Sequence, residues 1–202
     1  MMKKMMLMMV VAFCGAVIAT ADAGDKQGPV LKPLDDWTFF QIGFLPGFPQ
    51  GTNYSNVYGI KLGAPMVSGT GSRVYGIEPS LLFSGSDYVY GIQAGWFGAT
   101  KAKQVWGLQA NCMVNVADEV IGFEPGLVNV TKEITGFQAS AVNVSRKVTG
   151  FQASAVNVAS EELKGVQLGV VNYSKKGGCQ FGLVNVIEDG FLPFMIIFNF
   201  KF

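Results

Sequence analysis

The sequence contains no histidine among its 202 residues. A chain without histidine cannot form a Ser-His or Cys-His nucleophile pair, and it cannot ligate a metal through imidazole. Glu78 and Glu124 could in principle act as an acid and base pair, but they lie far apart in the chain and no companion motif supports that role. We therefore expect a protein that is not an enzyme, with no catalytic residues, no metal site and no cofactor.

Long apolar runs are also missing, except at the amino terminus. An uncharged run from Met5 to Ala19 follows the basic pair Lys3-Lys4 and precedes Ala21-Asp22-Ala23. This order is typical of a signal peptide, and the run is shorter than the roughly 20 residues of a membrane-spanning helix. We predict a signal peptide at residues 1–23 that is cleaved near Ala23, a linker at 24–34 and one repeat-built domain at 35–202.

Charge is scarce and balanced. Removing Lys3, Lys4 and Asp22 with the leader from 15 basic and 14 acidic residues leaves 13 of each. Nucleic-acid binding requires a basic excess or a basic stripe, so we expect no nucleic acid as partner. Two cysteines remain after cleavage, Cys112 and Cys179, and because they lie in separate repeats we expect free thiols rather than a disulfide.

A Gly-x-Gln motif recurs along the chain every 13 to 17 residues. This period is too short for helix-pair repeats or propeller blades, so each unit is one strand and one turn. Val, Ile, Phe, Tyr and Thr dominate the units, which favours β-structure. In the second half, a Val-Asn pair follows most of the glycines at a fixed distance; its asparagines are Asn115, Asn129, Asn143, Asn157, Asn172 and Asn185.

Charged clusters such as Lys132-Glu133 and Arg146-Lys147 separate segments that are almost uncharged. The 11 residues Val148–Val158 match the length of a membrane-crossing strand, and a hydrocarbon slab would impose this absence of charge. The pattern predicts an all-β fold, an antiparallel transmembrane β-barrel of about 10 to 12 strands built from 14-15-residue strand-turn repeats. The alternative is a β-solenoid, in which equivalent Gln and Asn side chains stack in ladders.

Alternation with period two divides each predicted strand into two faces. In the unit around Gly150, Phe151, Ala153, Ala155 and Asn157 share one face, which we assign to lipid. The Gln position lies on the other face, which we assign to the barrel lumen, because it alone accepts charge in other units. The predicted lumen-facing residues are Lys61, Glu78, Gln93, Gln109, Glu124, Gln138, Gln152, Gln167 and Gln180.

The last residues place a large apolar side chain at every second position. This strand resembles the closing strand of bacterial outer-membrane β-barrels, which ends in an aromatic residue. The resemblance implies recognition by the barrel-assembly machinery, through Phe194, Ile196, Phe198, Phe200 and Phe202. The alternative is an ordinary apolar edge strand.

The Gly-x-Gln and Val-Asn-Val units over residues 91–186 also resemble the short tandem surface repeats of exported proteins in double-membraned bacteria. The two resemblances imply an outer-membrane location, contact with outer-membrane lipid, and a structural or interaction role without catalysis. Two alternatives remain open: a soluble secreted solenoid that binds a partner, and a narrow porin-like channel. The sequence names no external ligand.

Overall fold

The computed structural model describes residues 37–46, 48 and 50–201, and the predicted signal peptide and linker lie outside these residues. Twelve strands form in the described part, together with a 3-10 turn at Gln50–Thr52. None of its helical segments is long and apolar enough to cross a membrane. The strands are β1 (Trp37–Gly43), β2 (Asn56–Gly63), β3 (Met66–Ser80), β4 (Phe83–Gly95), β5 (Ala99–Asn111), β6 (Val114–Pro125), β7 (Val128–Ala139), β8 (Val142–Ala153), β9 (Val156–Leu168), β10 (Val171–Ser174), β11 (Gly178–Ile187) and β12 (Phe194–Lys201).

All the strands lie in one sheet in chain order, and neighbouring strands from β1 to β11 are parallel. The pairing joins equivalent residues of successive repeats, such as Gly136 with Gly150 and Gln138 with Gln152. Only β12 runs antiparallel, along β11. The chain is therefore a β-solenoid of about 10 turns, and the predicted antiparallel transmembrane barrel is wrong.

One turn of the solenoid is a flat coil, as residues 142–155 illustrate. Val142–Ser145 forms one side, Arg146-Lys147 turns the chain, and Val148–Ala153 returns as the other side. Ser154 and Ala155 then turn the chain into the next coil, where Val156 pairs above Val142. The repeat is thus one closed coil, which explains why equivalent residues stack instead of opposing each other in hairpins.

The barrel prediction was wrong because it overlooked one of the two corners of each coil, the one that carries no charge. Residues 148–158 are not one strand: they are the end of β8, the corner Ser154-Ala155 and the start of β9. The charged cluster Arg146-Lys147 is a corner inside β8, which continues past it. With two corners per repeat, no segment has the length of a membrane-crossing strand, so the transmembrane assignment is wrong as well, whereas the tandem repeat is confirmed.

The glycine of the Gly-x-Gln motif permits the close stacking of coils. Gly136 and its equivalents have positive φ angles, +138° at Gly136 and +131° at Gly150. A Cβ atom at Gly136 would overlap the carbonyl oxygen of Gly122 in the coil below, and one at Gly150 would overlap that of Gly136. Only glycine fits both the backbone angle and the space.

The interior of the coil is narrow and mostly polar. Its largest apolar part is a column with one side chain per coil: Val57, Val74, Val89, Val105, Val120, Ile134, Val148 and Leu163. Columns of small, asparagine and glutamine side chains fill the remainder. Hydrogen bonds along these columns therefore carry much of the specificity of stacking.

Candidate functional site

The nine residues predicted to line a lumen form one continuous buried column inside the solenoid. Each belongs to a different coil, and each side chain is fully buried. The sequence pattern predicted that these side chains share one inward-facing environment. That environment is the packed interior of the solenoid, and not the lumen of a barrel. The column is Lys61, Glu78, Gln93, Gln109, Glu124, Gln138, Gln152, Gln167 and Gln180.

The glutamines of this column bond to one another from coil to coil. Gln152 Nε2 donates to Gln138 Oε1 at 2.6 Å, and Gln167 Nε2 donates to Gln152 Oε1 at 2.8 Å. Gln180 Nε2 continues the series to Gln167 Oε1 at 2.8 Å. Amides that satisfy one another inside the coil are closed to a ligand, so this column is structural.

The asparagines form a second buried ladder, which closes each coil at the uncharged corner. Asn143 Nδ2 donates to Asn157 Oδ1 at 3.1 Å, and Asn157 Nδ2 donates to Asn172 Oδ1 at 2.9 Å. The same Nδ2 of Asn157 reaches across its own coil to the carbonyl oxygen of Leu168 at 2.8 Å. The predicted lipid-facing position of Asn157 is therefore wrong, because the corner at 154–155 reverses the alternation and turns this side chain inward.

Lys61 and Glu78 occupy successive positions of the glutamine column at its amino-terminal end. Lys61 Nζ donates to Ser72 Oγ at 3.0 Å and to Ser86 Oγ at 2.8 Å. Burial lowers the pKa of Lys61 and raises that of Glu78, and the opposite charge of each partner works against both shifts. The pair thus substitutes for two glutamines, with serine hydroxyls as partners.

Glu124 interrupts the glutamine column at its centre. Its carboxyl group accepts from Thr131 Oγ1 at 2.8 Å and from Gln138 Nε2 at 2.6 Å, and complete burial raises its pKa to about 7. Gln109 Oε1, the next acceptor along the column, is buried and has no hydrogen-bond partner. A neutral Glu124 can donate its proton toward that oxygen, whereas an ionised one cannot.

Replacing Glu124 by glutamine is expected to stabilise the protein above neutral pH. The pKa of Glu124 is about 7 in the folded protein and 4.5 ordinarily. The free energy of unfolding of the wild type therefore falls by roughly 3 kcal/mol as the pH rises from 4.5 to 7. In E124Q that loss disappears, and an amide can donate to Gln109 Oε1 at every pH. Urea denaturation at pH 5 and pH 8 measures the effect. Glu133→Gln, at an exposed position, is the control, and an equal pH dependence in wild type and E124Q would contradict the assignment.

The predicted C-terminal assembly signal lies in β12, which closes the end of the solenoid. Phe198 packs against Phe181 of β11, with ring centroids 4.8 Å apart. Phe194, Ile196 and Phe200 are more than half exposed, and Phe202 lies outside the described residues. The predicted role of these side chains in barrel assembly assumed a β-barrel. It loses its basis because the fold is a β-solenoid.

Charged side chains gather at one corner of most coils, and we call this line of corners the charged edge. Opposite charges pair between neighbouring coils there, with Lys132 Nζ 2.8 Å from Asp118 Oδ1 and Lys147 Nζ 2.7 Å from Glu133 Oε1. The pairs Lys103 with Asp87 and Arg146 with Glu161 extend the line. Such exposed pairs contribute little energy each, but they favour the correct stacking register.

The opposite corners carry large apolar side chains, and we call their amino-terminal stretch the apolar ridge. Backbone hydrogen bonds join successive corners there, from Phe97 N to Leu81 O at 2.7 Å and from Val128 N to Met113 O at 2.8 Å. The side chains are exposed, from 37% at Leu82 to 65% at Trp96. The ridge consists of Phe44, Leu45, Leu81, Leu82, Trp96, Phe97, Met113 and Leu127.

Two further columns of partly exposed side chains lie on the face between the apolar ridge and the charged edge. The column nearer the ridge is Ile60, Ile77, Ile92, Leu108, Phe123, Phe137 and Phe151. The column nearer the charged edge begins Tyr58, Tyr75, Tyr90 and Trp106, with stacked tyrosine rings 4.8 and 4.9 Å apart. The sequence analysis placed Phe151 on an outward face, but it missed the tyrosine column and the ridge, although uncharged pairs such as Leu81-Leu82 and Trp96-Phe97 recur at the repeat spacing.

Within the described residues, no cluster of three or more Cys, Asp or Glu side chains could hold a metal ion. Cys112 and Cys179 are free thiols, as the separate repeats suggested. Comparison with known proteins adds nothing to this geometry, because no family model, curated protein or solved structure matches the chain.

Proposed function

We propose that this chain is an exported repeat protein of the bacterial envelope, without catalytic activity, that binds an apolar partner through its uncharged surface. The observation that supports this function is the segregation of charge. Ion pairs line one edge of the solenoid, whereas the opposite edge and the adjoining face expose Leu, Ile, Phe and Trp side chains. Exposed apolar areas of this extent mark interaction sites in folded proteins.

A catalytic role has less support. The buried charged groups of the described residues, Lys61, Glu78 and Glu124, already bond to serine, threonine and glutamine side chains inside the coil. A substrate cannot reach them without separating stacked coils. The solenoid thus serves as a rigid scaffold for its surface.

Cell fractionation tests export and envelope association. Expressed with its full leader in a double-membraned bacterium, the chain is expected to lose residues 1–23, as intact mass would report, and to sediment with the envelope after a high-salt wash. An unprocessed chain in the cytoplasm would refute the proposal.

Retention on phenyl-agarose tests the apolar surface. The folded mature chain is expected to bind at low salt, and Leu127→Glu on the apolar ridge is expected to elute earlier. Thr149→Glu adds the same charge beside the charged edge and serves as the matched control. A folded wild-type chain that flows through the column would contradict the proposed binding surface.

A further inference from the structure

We propose that the partner of the apolar ridge is a lipid bilayer, on which the solenoid lies with its axis in the membrane plane and its ridge within one leaflet. This inference rests on the proposed function, because it names the apolar partner. It differs from a transmembrane barrel, since no strand crosses the membrane and the charged edge stays in water.

The ridge is long. Backbone hydrogen bonds join the successive corners between Phe44 and Leu127, which belong to six coils, and the second of these coils has the smaller pair Ala64-Pro65 at its corner. At about 4.8 Å per coil they form a line of roughly 24 Å. No corner of that line, within the described residues, carries a charged side chain. An uncharged line of this length can enter hydrocarbon without burying an ion.

On the face that carries the tyrosine column, the side chains change character in a fixed order away from the ridge. Apolar side chains, including Trp96, come first, the column Tyr58, Tyr75, Tyr90 and Trp106 follows, and the ion pairs come last. Water-lipid interfaces favour the outer part of this order, because tyrosine hydroxyls prefer the headgroup level and charges prefer water. Tyr90 lies six residues from Trp96, roughly 20 Å of extended chain, which matches the depth of one leaflet including its headgroups.

The shape of the ridge favours lipid over a second copy of the chain. The ridge is a convex corner two or three residues wide, such as Leu81-Leu82 between β3 and β4, and the two sides of the coil lead away from it. Two such corners would touch along a line and bury little area, whereas stable protein interfaces bury about 800 Å² per partner. A fluid bilayer closes around a convex edge without needing a complementary shape.

Vesicle binding tests the proposal with the mature chain and pure phosphatidylcholine vesicles. Because the ridge is uncharged, we expect binding that 0.5 M salt does not weaken. Leu127→Glu is expected to lower the partition coefficient about tenfold, and the matched control Thr149→Glu less than about twofold. Circular dichroism confirms that both variants remain folded.

Depth measurements test the orientation. In a form with Trp96 alone, made by Trp37→Phe and Trp106→Phe, acyl-chain bromines are expected to quench the fluorescence strongly. In the form with Trp106 alone, made by Trp37→Phe and Trp96→Phe, the same bromines should quench less. Equal quenching of Trp96 and Trp106, or quenching of neither, would overturn the proposed orientation.

The outcomes also separate this inference from the proposed function. If folded wild type ignores vesicles but is retained on phenyl-agarose, and Leu127→Glu elutes earlier, the apolar surface serves a partner other than lipid. The lipid proposal is then wrong while the proposed function stands. If sedimentation equilibrium without lipid reveals a dimer that Leu127→Glu dissociates, a second copy occupies the ridge, and the lipid proposal is again wrong. If wild type neither binds vesicles nor is retained, both fail.

Discussion

Replacing Gly136 by alanine is expected to lower the free energy of unfolding by roughly 4 kcal/mol or more. At φ +138° an alanine is strained, and its methyl group would overlap the carbonyl oxygen of Gly122. Because the Gly136 carbonyl oxygen in turn lies under Gly150, relief by a backbone shift would disturb the next coil as well. Guanidinium denaturation followed by circular dichroism measures the loss.

Gly51→Ala is the matched control for this substitution. A Cβ atom at Gly51 has no neighbour within 4 Å, so the same added methyl group should change stability by less than about 0.5 kcal/mol. A G136A protein with the denaturation midpoint of wild type would mean that the coils do not stack through their glycines.

Asn157→Asp is expected to cost roughly 3 kcal/mol or more at pH 7, although the two side chains have the same shape. Asn157 Nδ2 donates to Leu168 O at 2.8 Å and to Asn172 Oδ1 at 2.9 Å. A carboxylate would lose both bonds and set a buried anion against the Asn172 oxygen. Acidification below the carboxyl pKa should restore part of the stability, because a neutral acid can donate one of the two bonds.

Asn53→Asp controls for the change of chemistry alone. Asn53 acts through its oxygen, which accepts from the Thr70 amide at 3.1 Å, and an aspartate keeps that acceptor. We expect a small effect with little dependence on pH. If N157D and N53D were equally stable, the asparagine ladder would not be the closing element of the coils.

Local patterns in the sequence predicted the β-structure, the repeat length and the shared burial of the glutamine positions. Gln138 and Gln152 keep a fixed offset from a glycine, and only their position accepts charge in other units, so a common polar environment follows from the sequence alone. Parallel stacking did not follow, because a strand in a hairpin and a strand in a coil carry the same alternation. The distinction depends on how many corners each repeat contains.

In several coils the composition of the uncharged corner gave no indication of a turn. Ser154-Ala155 and Leu81-Leu82 carry neither charge nor glycine nor proline, so they lack the usual signals of a turn. Treating such a corner as strand merges two short segments into one of membrane-crossing length and reverses the orientation of every residue beyond it. Asn157 was misassigned for this reason, and the exposed ridge formed by the same corners was overlooked with it.

Pulsed electron paramagnetic resonance tests the solenoid most directly. Cys112 and Cys179 would first be replaced by serine. Spin labels would then be attached to cysteines introduced in place of Tyr58 and Lys164, or of Tyr90 and Lys164. These positions occupy one column, seven and five coils apart, so the solenoid predicts distances of roughly 34 and 24 Å. A closed cylinder brings the ends of the sheet together, and a Tyr58 to Lys164 distance shorter than that from Tyr90 to Lys164 would contradict the solenoid.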